Sequence, residues 1–403
     1  MMVNSKFKIE IPFYLMIAVA FSFLLSLFLL QLFAGLLVIL YLFESFENKK
    51  KAFDVFGIAI LIFGIVRILA IAFSEYPSLS VQSFYKEALF YLGFFAFNFY
   101  LKVFDDKKFF TIIKSFAIAA VIIALIGVVR FNLGNIERAE SFSSGYATFS
   151  SYLLAVLGVQ LFLFNKEKPD KKNILWLLAS VIILCGIITS LGRTNIAAAV
   201  LITLVFFIIK RLNFRYIAVM LILTAGLSWI SFMNNTFLVS ERIESPSQLS
   251  DRNIIYEGAE EILFDHPVLG FGPRTFHKIF PEKLKKKFAD PGIGSWHNDF
   301  LQIYFESGFL GELTFILLVI FPFIKGIKYL KTNGDERNKN IVMGAMFGIG
   351  GLILSALTAG FIDSPVLAVV FSFLISIISR QTIKTNTFID GIAGKLKGDR
   401  GSL

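Results

Sequence analysis

Long apolar stretches separated by shorter polar ones run along the whole chain. Those near 11–28, 30–46, 53–73, 87–102, 110–130, 146–165, 173–190, 194–210, 215–233, 309–330, 340–360 and 363–380 each approach the ~20 residues an α-helix needs to cross a bilayer core. The pattern predicts an all-α polytopic membrane protein with about twelve transmembrane helices. Residues 11–46 form one nearly unbroken apolar run, and only a break near Ser26 to Gln31 makes them a hairpin rather than one tilted helix. The polar interval 234–300 is far longer than any other connection and is the candidate subdomain outside the bilayer. The chain therefore divides into 1–233 with spans one to nine and a loop subdomain over 234–308. Spans ten to twelve follow over 309–381, and a polar, loosely ordered tail over 382–403.

Composition narrows the class. With 56% hydrophobic residues, 48 Phe and 17% charged residues, the chain is not a soluble globular domain. A net charge of +10 could suggest nucleic acid, but the basic residues fall in every second connection. Lys49, Lys50 and Lys51 share one, Lys102, Lys107 and Lys108 the next. Then come Lys166, Lys168, Lys171 and Lys172, then Lys210, Arg211 and Arg215, then Lys325, Lys328, Lys331, Arg337 and Lys339. Arg380, Lys384, Lys395, Lys397 and Arg400 close the series. This alternation follows the positive-inside rule and puts both termini in the cytoplasm and residues 234–308 outside. No nucleic-acid partner is implied. The sole cysteine, Cys185, lies within a span, so no disulfide framework is possible. The first apolar segment runs on without a small-residue cleavage site, and reads as a span rather than a signal peptide.

The outer side carries the candidate chemistry. Trp296-His297-Asn298-Asp299-Phe300 closes the long loop; nine residues separate Asn298 from Gly308, and Gly311 follows. Asn298 or Asp299 can cap the next helix. His297 then sits beside the positive end of a helix dipole, a field that favours neutral imidazole able to accept a proton. Gly308 and Gly311, three apart, suggest close helix packing. These residue types suit equally an interfacial Trp-His pair anchoring a span at headgroup level.

Arg193, in Ser190-Leu191-Gly192-Arg193-Thr194-Asn195, stands between two spans with almost no room between them. Arg252 and Arg138 lie on the same side, where arginine should be scarce. Guanidinium is the permanently charged planar fork that suits phosphate, although each could also be salt-bridged or snorkelling. Arg67, inside the third span, should face the bundle interior. His266, His277 and His297, with Asp265, Asp290 and Asp299, could suggest a metal, but their spacing fits no compact ligand pattern and none is assigned. Residues 266–273 are turn-rich and apolar, able to bring backbone close to a ligand or a neighbouring helix. The basic run Lys283 to Lys287 reads as a solvated face, or as a surface for anionic headgroups or glycans.

Together these residues resemble the bacterial O-antigen ligase and polymerase superfamily. The ligase signature is His, then Asn, Ser or Gln, nine residues, Gly, two residues, and Gly, Thr or Val; His297, Asn298, Gly308 and Gly311 satisfy it. The stretch from Arg252 through Tyr256, Ala259 and His266-Pro267 to Gly270-Phe271-Gly272-Pro273 is similar to the family's periplasmic pattern, as is Ser190-Leu191-Gly192-Arg193 at the start of a span. The resemblance implies a GT-C-like enzyme of the inner membrane. It would move a glycan from undecaprenyl diphosphate to a lipid A-core oligosaccharide hydroxyl at the periplasmic face, with inversion and without metal or cofactor. It implies His297 as general base, with Arg193 and Arg252, and by a weaker match Arg138, holding the diphosphate. Such a donor needs neither a Gly-rich phosphate loop nor an Asp-x-Asp motif, and the chain shows neither. The alternatives are an O-antigen polymerase, whose acceptor is another lipid-linked repeat, and a protein O-oligosaccharyltransferase. A transporter or flippase would show paired broken helices and repeat symmetry; no repeat is evident.

Overall fold

The computed structural model describes residues 5–164, 171–234, 251–288, 293–332 and 335–398. Lys166, Lys168, Asp290 and Arg400 lie outside the described residues. Among those described there is no strand, and twelve helices have sixteen residues or more. They are α1 (Ser5–Leu25), α2 (Leu27–Leu42), α3 (Val55–Ala72), α4 (Ala88–Val103), α5 (Asp106–Asn132), α6 (Tyr146–Leu163), α7 (Lys171–Thr189), α8 (Arg193–Lys210) and α9 (Phe214–Met233), with α11 (Asp299–Leu330), α12 (Glu336–Ala356) and α13 (Pro365–Gly398) after the long loop. The shorter α10 (Arg252–Glu261) lies within that loop. Eight of the twelve are long and apolar enough to cross a membrane; α1, α2 and α7 contribute apolar stretches of 16 or 17 residues.

Polar contacts mark the two ends of the bundle. At one end Lys108 reaches Glu10 at 2.6 Å and Lys102 reaches Asp54 at 2.7 Å. There too Lys210 bonds Asn340, and Arg380 bonds the Leu101 and Phe104 carbonyls. At the other end Ser143 donates to Phe23 O at 2.8 Å, Asn132 to Ser231 at 2.9 Å, and Ser151 and Ser355 share a bond at 2.6 Å. Successive helices therefore run up and down, and the basic connections gather at the first end.

The ambiguous 11–46 run resolves at Ser26. Its extended backbone ends α1, and its hydroxyl accepts from Phe28 N to cap α2. Helix α2 then returns, so that Tyr41 meets Phe99 near the basic end. Helix α13, which opens on Pro365, continues to Gly398.

The long loop has its own core. Ile255, Ala259, Phe271, Phe276, Phe280, Leu284, Trp296 and Phe305 are all buried together. Trp296 is 2% exposed and stacks on Phe305 at 4.1 Å. It is thus a core residue of the loop subdomain rather than an interfacial anchor, because the aromatic cluster offers it more apolar contact than a headgroup layer. Lys283 and Lys287 pair with Glu261 and Glu257 of α10 at 3.0 and 3.1 Å, so the basic run is a solvated, ion-paired face.

Candidate active site

The site is built around a break in α11. Asn298 caps this helix, its side chain accepting from Phe300 N and Leu301 N at 2.9 and 3.3 Å. Gly308, ten residues on, adopts φ 65° and ψ −167° inside the helical run, a region essentially reserved for glycine. The break leaves backbone groups unpaired on both sides, and residues 266–273 take them up. Phe309 N donates to Pro267 O at 2.7 Å and Leu310 N to Val268 O at 3.4 Å; Phe305 O and Glu306 O accept from Phe271 N and Gly272 N at 2.8 and 3.1 Å.

The signature glycines therefore act differently from the helix-packing pair their spacing suggests. A Cβ on Gly308 would lie 2.2 Å from the Val268 carbonyl, and one on Gly311 would lie 2.3 Å from the Ser307 Cβ across the break. Both make room for the interruption itself. Gly308→Ala is expected to expel residues 266–273 from the break, because backbone strain of roughly 1–3 kcal/mol adds to the overlap. Protease sensitivity across 251–308 should rise, whereas Gly226→Ala, with nothing within 4 Å of the added carbon, should leave it unchanged.

Hydrogen bonds then tie the predicted residues to one end of the bundle. His297 is exposed, with a left-handed φ of 47°, directly before the cap. Asp299, 1% exposed, accepts from Phe361 N at 2.7 Å and fixes this corner to the connection between α12 and α13. Arg252, at the start of α10, donates to Thr358 O of the same connection at 3.1 Å. Ser355, at the end of α12, leads through Ser151 to Asn195, whose side chain also donates to Ser150 at 2.7 Å. Asn195 lies two residues after Arg193, the first residue of α8. Arg138 donates to Ser190 O at 2.8 Å in the turn before Arg193, and its guanidinium covers the Tyr146 ring at 3.1 Å.

The three arginines differ in their freedom. Arg138 and Arg252 are half-buried and committed to carbonyls. Arg193 is exposed and makes no hydrogen bond, ion pair or ring contact among the described residues. It is thus open to an anion from outside.

Below this corner lies a buried network that residue patterns along the chain did not disclose. Arg67 faces inward as expected and is 3% exposed. It pairs with Glu87 and, at 2.7 Å, with Glu306, and also reaches Ser307 at 3.1 Å. Tyr91 donates to Glu87 at 2.9 Å, and Gln302 links Glu306 to Asp363. Glu306 and Ser307 directly precede Gly308, so Arg67 clamps α11 at its break. A carboxylate inside the signature's nine-residue interval was the available clue.

Of the remaining histidines, His266 contacts Glu75 at 3.0 Å and packs on Phe271. His277 lies exposed, its carbonyl accepting from Lys285. Among the described residues no group of three His, Cys, Asp or Glu side chains converges to hold a metal.

A protein-family model described as O-antigen ligase matches residues 178–316. The match supports membership of the O-antigen ligase superfamily for this part of the chain. The matched stretch holds the turn before Arg193, Arg252, the 266–273 segment and the broken helix from His297 to Gly311; Arg138 lies outside it. Members of the O-antigen ligase superfamily are ligases and polymerases of the glycosyltransferase kind. No curated protein matches the chain.

Proposed function

We propose that the protein is an O-antigen ligase that transfers a glycan from undecaprenyl diphosphate to a hydroxyl of lipid A-core oligosaccharide. The reaction takes place at the periplasmic face of the inner membrane, across which the twelve long helices pass with both termini cytoplasmic. What supports this reading is that hydrogen bonds tie Arg138, Arg252 and Asp299, two residues after the exposed His297, to connections at the same end of the bundle where Arg193 begins α8.

The chemistry requires two kinds of help. The acceptor hydroxyl is a weak nucleophile, and His297 removes its proton as the oxygen bonds to the anomeric carbon. The bond from that carbon to the diphosphate breaks on the opposite face, inverting the centre, and undecaprenyl diphosphate leaves with the electron pair. Arg193 and Arg252, helped by Arg138, neutralise the charge that develops there. Arg138 and Arg252 are fixed by backbone carbonyls, which pre-sets their geometry; Arg193 stays open to engage the lipid-linked group.

Arg193→Lys is expected to impair transfer although charge is kept, because a point charge cannot replace a two-pronged contact; donor KM should rise about tenfold or more. The function is tested by offering the purified protein one lipid-linked donor with either lipid A-core or a second lipid-linked repeat. Transfer to lipid A-core supports the ligase. Chain growth on the second repeat makes the protein a polymerase, and transfer to neither contradicts the reading.

A further inference from the structure

Among the described residues, five non-glycine residues have a left-handed backbone: Leu191 (φ 55°), Arg211 (46°), Asp251 (55°), Arg274 (64°) and His297 (47°). Arg211 is the C-cap of α8, where this conformation is an ordinary helix ending. Three of the others belong to the site already described. Leu191 lies in the turn before Arg193, Asp251 directly precedes Arg252, and His297 is the base itself. The fourth is Arg274, which none of the motifs above includes. Backbone strain of this kind collects where a fold holds groups for a task.

The side chain of Arg274 supplies the independent observation. It is half-buried, yet makes no hydrogen bond, ion pair or ring contact among the described residues. A carboxylate is at hand, since the Arg274 N–H donates to Glu306 Oε1 at 2.8 Å. That carboxylate is taken by Arg67 and Gln302, and the Arg274 guanidinium does not pair with it. None of its side-chain nitrogens is fully buried, so the guanidinium is reached by solvent and is open to an incoming anion.

The surroundings hold Arg274 in place. Ser80 donates to Pro273 O at 3.0 Å and Ser74 to Phe271 O at 2.7 Å, pinning the turn to the connection between α3 and α4. Two residues after Arg274, Phe276 meets Trp296 at 5.0 Å, and Trp296 directly precedes His297. Arg274 and His297 therefore flank one aromatic contact at the broken end of α11.

We propose that Arg274 is a further anion-binding residue of this site, holding a phosphate oxyanion of a substrate in its guanidinium fork. This rests on the reading of the site as a glycan transferase. The oxyanion is either part of the donor diphosphate or a phosphate carried by the acceptor glycolipid.

Arg274→Gly separates folding from binding. Glycine accepts the left-handed conformation without strain, so the variant should be at least as heat-stable as wild type. Binding is read without turnover as thermal stabilisation by farnesyl diphosphate, with farnesol as the uncharged control. A donor-side role predicts that Arg274→Gly weakens farnesyl diphosphate binding about 10- to 100-fold, with Arg274→Lys in between. An acceptor-side role predicts normal farnesyl diphosphate binding and a similar rise in acceptor KM, which vanishes with dephosphorylated acceptor. Unchanged farnesyl diphosphate binding together with unchanged acceptor KM overturns the proposal. If the wild-type protein transfers no glycan, the functional reading fails by itself, and the farnesyl diphosphate arm alone decides Arg274.

Discussion

His297→Ala is expected to lower glycan transfer about 10²–10⁴-fold, the range over which a positioned general base accelerates proton removal. The loss should fall on kcat, because the diphosphate is held by arginines and not by the imidazole. In cells the variant should still insert, while the lipid-linked donor accumulates. Structural disturbance should be small: His297 is exposed, the helix cap is the neighbouring Asn298, and the aromatic core is filled by Trp296. Its left-handed φ of 47° is an added strain for alanine, so His297→Gly is the matched control. Both variants should be equally inactive. Transfer retained in His297→Gly would sink the general-base assignment.

The second large effect concerns stability. Arg67→Ala leaves Glu87 and Glu306 buried without their shared cation, and breaking a buried pair on one side costs about 3–5 kcal/mol. The damage should centre on α11, because Glu306 and Ser307 directly precede the break at Gly308. Adding Glu87→Gln and Glu306→Gln removes the uncompensated charges and should recover much of the thermal stability. Activity should not return with it, since the clamp on α11 is still missing. An Arg67→Ala protein as stable as wild type would contradict the ion-pair account.

Much of this architecture was legible in the residue pattern. The apolar stretches marked all twelve long helices, and Ser26 marked the turn between α1 and α2 because its hydroxyl can cap the start of α2. Asn298 announced a helix start for the same reason. Arg67 was legible as an inward-facing residue, since a guanidinium cannot face lipid cheaply.

Other features were hidden by physics that spacing does not carry. Gly308 and Gly311 sit at a helical interval, so the pattern suggested a packing face; only the structure shows that the 266–273 backbone wedged into the break excludes a Cβ at Gly308 and that Ser307 across the break excludes one at Gly311. Arg67 and Glu306 are 239 positions apart, and nothing local records that they meet. Trp296 beside a span resembles an anchor until Phe276, Phe280 and Phe305 are seen to enclose it. Arg274 lies just past the 266–273 pattern and stands out only through its backbone angle and a side chain without a partner among the described residues.

The most direct test of the central claim follows the donor bond itself in proteoliposomes containing the purified protein. The donor is a glycan linked to radiolabelled undecaprenyl diphosphate, and lipid A-core is supplied as acceptor. The account predicts that free undecaprenyl diphosphate appears one-for-one with glycosylated acceptor, only when the acceptor is present, and not with His297→Gly. Donor that crosses the bilayer with its glycan still attached, or that remains uncleaved with acceptor present, would contradict it.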